Sequence, residues 1–258
     1  MSATATGGPL NASSPESAPA VWLCASTFEP AFAPFWLTEE ESQKLCRLNH
    51  QSGREFLASR WLVRRALAEA SGQPAERCCP APGKVRASSQ PPGWQLSISH
   101  SQGLAGCAIY GGSAIGLDLE PLTRRPRWRK VSARWFAPTE HTWLLEANDD
   151  QAFLKVWTLK EAWLKATGRG IADNLQTLSV GRNFSLTGDR PGEAWQASLG
   201  HCGEHLVAVV YQGDQPPNGH RIALPEFSDT FDDGADDRQI AVEWYFHTPI
   251  HCQTYSNP

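Results

Sequence analysis

The sequence predicts an α+β protein in which two similar α/β halves follow one another in a single chain. Three observations predict it. The segment WLVRRALAEASG (61–72) aligns without gaps to WTLKEAWLKATG (157–168), with the tryptophan, two alanines and the final glycine identical. His100, Tyr110 and Gly112 recur at the same spacing as His201, Tyr211 and Gly213. In each half a helical apolar period comes first and strand-like alternation follows. The halves are placed at 21–112 and 113–225, and a functional site is expected at the seam between them.

Each element has its own signal. Thr38 with Glu41 three residues on is a capping-box signature, opening a helix that runs to about 49. Phe56, Leu57, Trp61, Val63, Leu67 and Ala70 lie near helical spacing within 54–70, which stops at Ser71 and Gly72. Residues 74–93 are rich in Pro, Gly and Ser and read as loop. Strands are expected at 95–99, 103–110 and 114–120. A short helix at 138–146 and a long one at 151–166 follow, the second ended by Gly168 and Gly170. Later strands are expected near 175–180, 194–199 and 205–211.

The two ends differ from this body. Residues 1–20 are small and polar with no Lys or Arg, and read as a disordered leader rather than a secretory signal. Residues 226–258 hold seven acidic side chains and one arginine, and read as an acidic, largely disordered tail. That tail carries −6 of a whole-chain charge of −4, so 1–225 carries +2. A basic nucleic-acid binder is thereby excluded for the chain as a whole. No apolar run approaches the ~18 residues needed to span a bilayer. Seven cysteines without a C-x-x-C pair fit reduced thiols in the cytoplasm better than a disulfide frame or a zinc site.

Three short segments could carry chemistry. In IGLDLE (115–120), Asp118 and Glu120 share one face of a strand whose other face is apolar. Two such carboxylates repel and need a cation; oxygen-only ligands favour Mg²⁺. An exposed strand edge with solvated acids would show the same pattern. In WTLKEAWLK (157–165), Glu161 and Lys165 share a helix face. They could be a surface pair worth ~0.3–0.5 kcal/mol, or a third ligand and a phosphate contact. SISHS (97–101) ends a strand in hydroxyls and an imidazole, with Ser99 and His100 able to bind phosphate.

With FAPTE (136–140) between them, these segments, in this order and spacing, resemble the 4′-phosphopantetheinyl transferase superfamily. The length and repeat are similar to its larger, Sfp-type branch, a pseudodimer in one chain. The resemblance covers about residues 35–215. It implies transfer of the 4′-phosphopantetheine moiety of coenzyme A to a serine of an apo acyl or peptidyl carrier protein, releasing adenosine 3′,5′-bisphosphate. It further implies that Asp118, Glu120 and Glu161 hold Mg²⁺ against the pyrophosphate and that Lys165 contacts the phosphate under attack. Ser99 and His100 would hold the nucleotide end, with Arg54 and Lys84 on its phosphates. Glu140 matches a glutamate that activates the serine, directly or through water. Ala137 stands where the family often has a serine able to cap reciprocally with that glutamate.

The implied setting is a cytoplasmic monomer serving fatty-acid, polyketide or nonribosomal-peptide synthesis, with neither nucleic acid nor membrane as partner. A basic stretch (Arg124, Arg125, Arg127, Arg129, Lys130, Arg134) could attract coenzyme A or an acidic carrier, or be a solvated loop. Two other readings use the same residues. One is a Mg²⁺-dependent phosphodiesterase or nuclease, against which stands the lack of an aromatic-interleaved basic stripe. The other is a degenerate paralogue that binds carrier proteins without reaction, against which stands the presence of all three ligands and Lys165.

Overall fold

The computed structural model describes residues 18–26, 34–80, 87–221, 239–240 and 242–253. The chain runs β1 (Ala20–Ala25), α1 (Glu39–Leu45), α2 (His50–Ser71), β2 (Cys79–Pro80), β3 (Ala87–Gln90), β4 (Gln95–Ser101), β5 (Leu104–Tyr110) and β6 (Ile115–Pro121). It continues with α3 (Trp128–Trp135), α4 (Pro138–Ala147), α5 (Asp150–Thr167), β7 (Leu178–Val180), β8 (Leu186–Gly188), β9 (Trp195–Cys202) and β10 (His205–Gln212). It closes with β11 (Asn218–Arg221), β12 (Gln239–Ile240) and β13 (Glu243–Cys252). One sheet has the order β12-β11-β1-β5-β4-β3-β2 and the other β6-β10-β9-β13-β8-β7.

The helix ends follow the expected chemistry. Thr38 Oγ1 accepts from the Glu41 N–H at 3.2 Å and the Glu41 carboxylate accepts from the Thr38 N–H at 3.0 Å, closing the capping box. Gly72 and Gly168 end α2 and α5 in the left-handed region, at φ 68° and 69°. α2 starts a turn earlier than its apolar period because Asn49 caps it through the Ser52 N–H.

Alternation along the strands builds three apolar layers. Trp22 and Cys24 of β1 and Leu96 of β4 pack against Phe56, Trp61 and Leu67 of α2. Val156, Leu159 and Trp163 of α5 pack with Ala208 and Val210 of β10. Between the sheets, Val21, Leu23 and Ala108 meet Leu117, Leu119, Val207 and Val209. The repeated tyrosines come together there, with Tyr110 and Tyr211 edge to face at 5.8 Å and the Tyr110 hydroxyl donating to the Gln212 carbonyl at 2.7 Å.

The ladders show how the halves correspond. Trp22 pairs with Cys107 and Cys24 with Ala105, while Asp118 pairs with Ala208 and Glu120 with Leu206. Superposing Tyr110 on Tyr211 therefore places Trp22 on Asp118 and Cys24 on Glu120. The strand faces that pack on a helix are apolar in β1 and carry carboxylates in β6. Gly116 makes the close approach of α5 to β6 possible. A Cβ there would lie 2.0 Å from the Ala162 carbonyl oxygen and 2.4 Å from the Ala166 nitrogen, both backbone atoms that cannot swing aside.

Residues 243–252 differ from the expected disorder of 226–258. They form β13, which pairs antiparallel with β9 and parallel with β8 in the middle of the second sheet. Ile250 is buried, and Phe246 and Cys252 pack on the α5 core. Net acidity hid this strand, because six of the seven acids precede it. The 1–17 part of the leader and 222–238 of the tail lie outside the described residues. Among the described residues no helix is long and apolar enough to cross a membrane. Ending the chain at residue 241 is expected to destabilise it by several kcal/mol, at about 1.5–3 kcal/mol per buried apolar side chain. Thermal melting by circular dichroism checks this; a melt like that of the full chain would show β13 to be dispensable.

Candidate active site at the seam of the sheets

Among the described residues β6 is the edge strand of the second sheet, so one row of its backbone groups has no neighbouring strand there. Serines from β4 of the other sheet fill part of that row. Ser97 Oγ accepts from the Leu117 N–H at 2.8 Å and Ser99 Oγ from the Leu119 N–H at 3.2 Å. The Leu117 carbonyl accepts from Lys165 Nζ at 2.9 Å. These contacts cross between the halves and border the two carboxylates.

Asp118 and Glu120 point towards α5 and are each 6% exposed. Asp118 Oδ1 accepts from Lys165 Nζ at 2.8 Å and from the Ser99 hydroxyl at 3.1 Å. Its Oδ2 is buried and has no hydrogen-bond partner among the described residues. Glu120 Oε1 accepts from Arg124 and, at 2.8 Å, from the Trp157 indole N–H. Glu161 stands one turn before Lys165 on α5. Burial pushes the Asp118 carboxyl above its ordinary range, against the pull of Lys165. Burial likewise raises Glu120, opposed by its hydrogen bond from Arg124. Glu161 is pushed up to about 7, first by burial and then by the Asp118 charge, with Glu120 adding and Lys165 opposing.

The three expected ligands thus form one electrostatic cluster. Among the described residues, no group of three or more His, Cys, Asp or Glu side chains is gathered closely enough to hold a metal ion as it stands. The cluster fits a hard divalent cation in donor type, in excess negative charge and in the orphaned oxygen of Asp118. The set is open: Arg124 and Lys165 take up part of the charge.

The other expected site residues fall in different places. Ser99 and His100 face opposite ways, as successive strand residues do. Ser99 is buried against β6, whereas His100 is half exposed on the α2 side, its Nδ1 3.1 Å from Glu55 Oε2. That carboxylate neighbours Arg54, whose guanidinium donates to Gln51 Oε1 at 3.0 Å. Lys84 lies outside the described residues.

Glu140, expected as a base, lies inside the framework in this structure. It is 1% exposed, and its oxygens accept from the Ala137 N–H at 2.9 Å, the Val180 N–H at 2.7 Å and Lys160 Nζ at 2.8 Å. Lys160 is fully buried and also donates to the carbonyls of Leu175 and Leu178. So placed, the carboxylate is enclosed by framework groups. Glu140 keeps its half of the helix cap and ties α4 to α5. Sequence reasoning missed the roles of Lys160 and Trp157 and placed Arg124 only in a basic stretch, not on Glu120; the side-by-side Lys160 and Glu161 on a helix with two faces was the available signal for the first.

Two sequence profiles match the chain. The profile of the 4′-phosphopantetheinyl transferase superfamily matches 114–210, and that of the 4′-phosphopantetheinyl transferase N-terminal domain matches 40–110. The chain belongs to the 4′-phosphopantetheinyl transferase superfamily. The pair of matches divides near 112, between β5 and β6. The carboxylates and Lys165 fall in the first match, and Arg54, Ser99 and His100 in the second.

Curated relatives agree with the profiles. The 4′-phosphopantetheinyl transferase HetI of Nostoc sp. is 43% identical over 83 residues, 31% of this chain and 35% of that protein. A Synechocystis sp. protein of the same family is 29% identical over 183 residues, 65% of this chain and 72% of that protein. The 4′-phosphopantetheinyl transferase Sfp of Bacillus subtilis is 32% identical over 92 residues, 34% of this chain and 40% of that protein. The matched stretch thus spans about a third of the length of HetI.

Two outcomes test this geometry. In Glu140→Gln the buried Lys160 loses its counter-charge, and stability should fall by about 3–5 kcal/mol in denaturant titration. A base would instead be removed with stability nearly intact. The second concerns Glu161 without metal. Its folded-state value of about 7, against an ordinary 4.5, means the folded protein loses stability as pH rises through that window. Glu161→Gln in chelator should therefore gain roughly 1–2 kcal/mol over wild type at pH 8, after allowance for solvent screening, and nothing at pH 4.5. Equal melting of both proteins at both pH values would contradict the clustering of the carboxylates.

Proposed function

We propose that this protein transfers the 4′-phosphopantetheine moiety of coenzyme A to a serine of an apo acyl or peptidyl carrier protein, with Mg²⁺, releasing adenosine 3′,5′-bisphosphate. The observation that carries the reading is the meeting of Asp118 and Glu120 on β6 with Glu161 and Lys165 on α5, all inside the superfamily match. The serine oxygen bonds to the phosphorus that bears the pantetheine arm. The bond from that phosphorus to the bridging oxygen breaks, and adenosine 3′,5′-bisphosphate leaves with the electron pair.

Asp118, Glu120 and Glu161 would hold Mg²⁺ in this reading, and the ion supplies positive charge to the pyrophosphate when bound. The chain's own residues position and neutralise. Lys165 reaches the phosphate under attack by exchanging an acceptor, which its flexible and partly exposed side chain permits. Its charge is needed most as negative charge moves to the leaving oxygen. Arg54 and His100, at the start of α2 and the end of β4, are the residues for the nucleotide end, with Lys84 added by the resemblance alone. Glu140 stays outside the reacting groups, so the serine proton leaves by another route.

Intact-mass analysis of an apo carrier incubated with coenzyme A and Mg²⁺ tests the reading. The carrier should gain the mass of one phosphopantetheine arm. Glu161→Gln and Lys165→Ala should each lower the rate at saturating coenzyme A by about 100-fold or more, in line with loss of a preorganised charge. Near-normal rates in both variants would refute the assigned mechanism.

A further inference from the structure

We propose that Arg124 is a built-in competitor of the divalent cation, holding Glu120 in the metal-free protein and withdrawing when the ion enters. The inference rests on the reading that Asp118, Glu120 and Glu161 hold the ion, and adds to it the group that the ion displaces. The position of Arg124 is set by its turn. The Arg124 N–H donates to the Pro121 carbonyl at 3.0 Å. Leu122 is tied on both sides, its N–H to the Glu204 carbonyl at 2.8 Å and its carbonyl to Gln151 Nε2 at 2.9 Å. From that fixed backbone the guanidinium reaches back four residues to Glu120 Oε1. It lies over the Trp157 ring, 5.7 Å from the ring centre.

Two constraints make the arginine the group that gives way. Glu120 Oε1 has two lone pairs to accept with. It has two donors, Arg124 and the Trp157 indole N–H at 2.8 Å. An ion bound at that oxygen displaces one of them. Trp157 packs on the α5 core, whereas the Arg124 side chain is 41% exposed. Charge is the second constraint. Asp118, Glu120, Arg124 and Lys165 all act on Glu161, so the five form one set with a single excess negative charge. A divalent ion added to that set overshoots to one positive charge, and a net charge at a buried site is costly. With Arg124 withdrawn, the carboxylates, the ion and Lys165 are neutral together. Arg125 is the internal control. It belongs to the same turn and carries the same charge, but its guanidinium donates to the Leu122 and Arg124 carbonyls at 2.9 and 3.1 Å and, among the described residues, pairs with no carboxylate.

The experiment compares full-length wild type with Arg124→Gln, Arg124→Lys and Arg125→Gln, with Mg²⁺ as the only added ligand. Binding is followed by calorimetry, stability by melting in chelator and at rising Mg²⁺, and the accessibility of Arg124 by phenylglyoxal labelling with peptide mapping. Arg124→Gln is expected to bind Mg²⁺ about tenfold more tightly, the scale of one nearby charge acting on a divalent ion in a partly solvated site. In chelator it should melt below wild type, because the carboxylates have lost a counter-ion. That difference should shrink or reverse at saturating Mg²⁺, since the tighter binder gains more from the ion. Arg124→Lys, which keeps the charge, and Arg125→Gln should bind within about threefold of wild type. In wild type, Mg²⁺ should speed the labelling of Arg124 several-fold and leave that of Arg125 unchanged.

Weaker Mg²⁺ binding by Arg124→Gln would overturn the proposal, since Arg124 would then orient Glu120 for the ion instead of opposing it. So would labelling of Arg124 that Mg²⁺ leaves unchanged or slows, a result that needs no variant. Equal affinities in all four proteins would end this proposal and leave the three carboxylates as ligands. Absence of Mg²⁺ binding in all four would end both the proposal and the ligand assignment. Binding by Arg124→Gln alone would show the competition in its strongest form.

Discussion

The edge of β6 is the constraint on which the site depends. A strand with one open side has to satisfy its outward N–H groups, and burying them unpaired costs about 1–3 kcal/mol each. In this protein the two sheets stack through an apolar layer, and among the described residues no strand of the other sheet forms a ladder with β6. Side-chain hydroxyls do what a strand would have done, at Leu117 and Leu119. That choice brings polar atoms of one half beside the carboxylates of the other, which makes the site a property of the docked halves and of neither alone.

Packing then sets the distances. Gly116 lets α5 lie with backbone against backbone on β6, so that Lys165 reaches Asp118 directly. From below, the buried Glu140–Lys160 pair joins α4, α5 and the segment at Val180. Its worth lies in completeness: every oxygen and N–H of the pair has a partner, which a buried ion pair requires to avoid a net penalty. Adjacent residues on α5 therefore serve opposite ends. Lys160 is committed inward to the framework, and Glu161 outward to the carboxylate cluster.

Much of this was legible in the sequence, because it depended on local chemistry or on period. The capping box at Thr38, the glycine stops at Gly72 and Gly168, and the repeat ending in Tyr110 and Tyr211 all announce themselves within a few residues. The pairing of Asp118 with Glu120 on one face follows from the strand period alone. What sequence could not give was which long-range partner a polar group takes. Glu140 is a buried tie because Lys160 and Val180 reach it from 20 and 40 residues away. β13 is a central strand because β9 and β8 leave a gap that it fills, a fact absent from its own composition. Ser99 and His100 could have been separated in advance, since the same period that paired the carboxylates puts them on opposite faces.

The correspondence of Trp22 with Asp118 and of Cys24 with Glu120 has a consequence for how such a molecule can change. Two identical subunits related by symmetry must carry every substitution twice, so a carboxylate pair that creates strain in one copy creates it in both. A single chain with two halves escapes that bond. One half can keep charged groups that its folding would rather be without, while the other spends the same positions on a tryptophan and a thiol that strengthen its packing. The apolar half is free of that repulsion, and the charge-bearing half packs against it through the layer between the sheets.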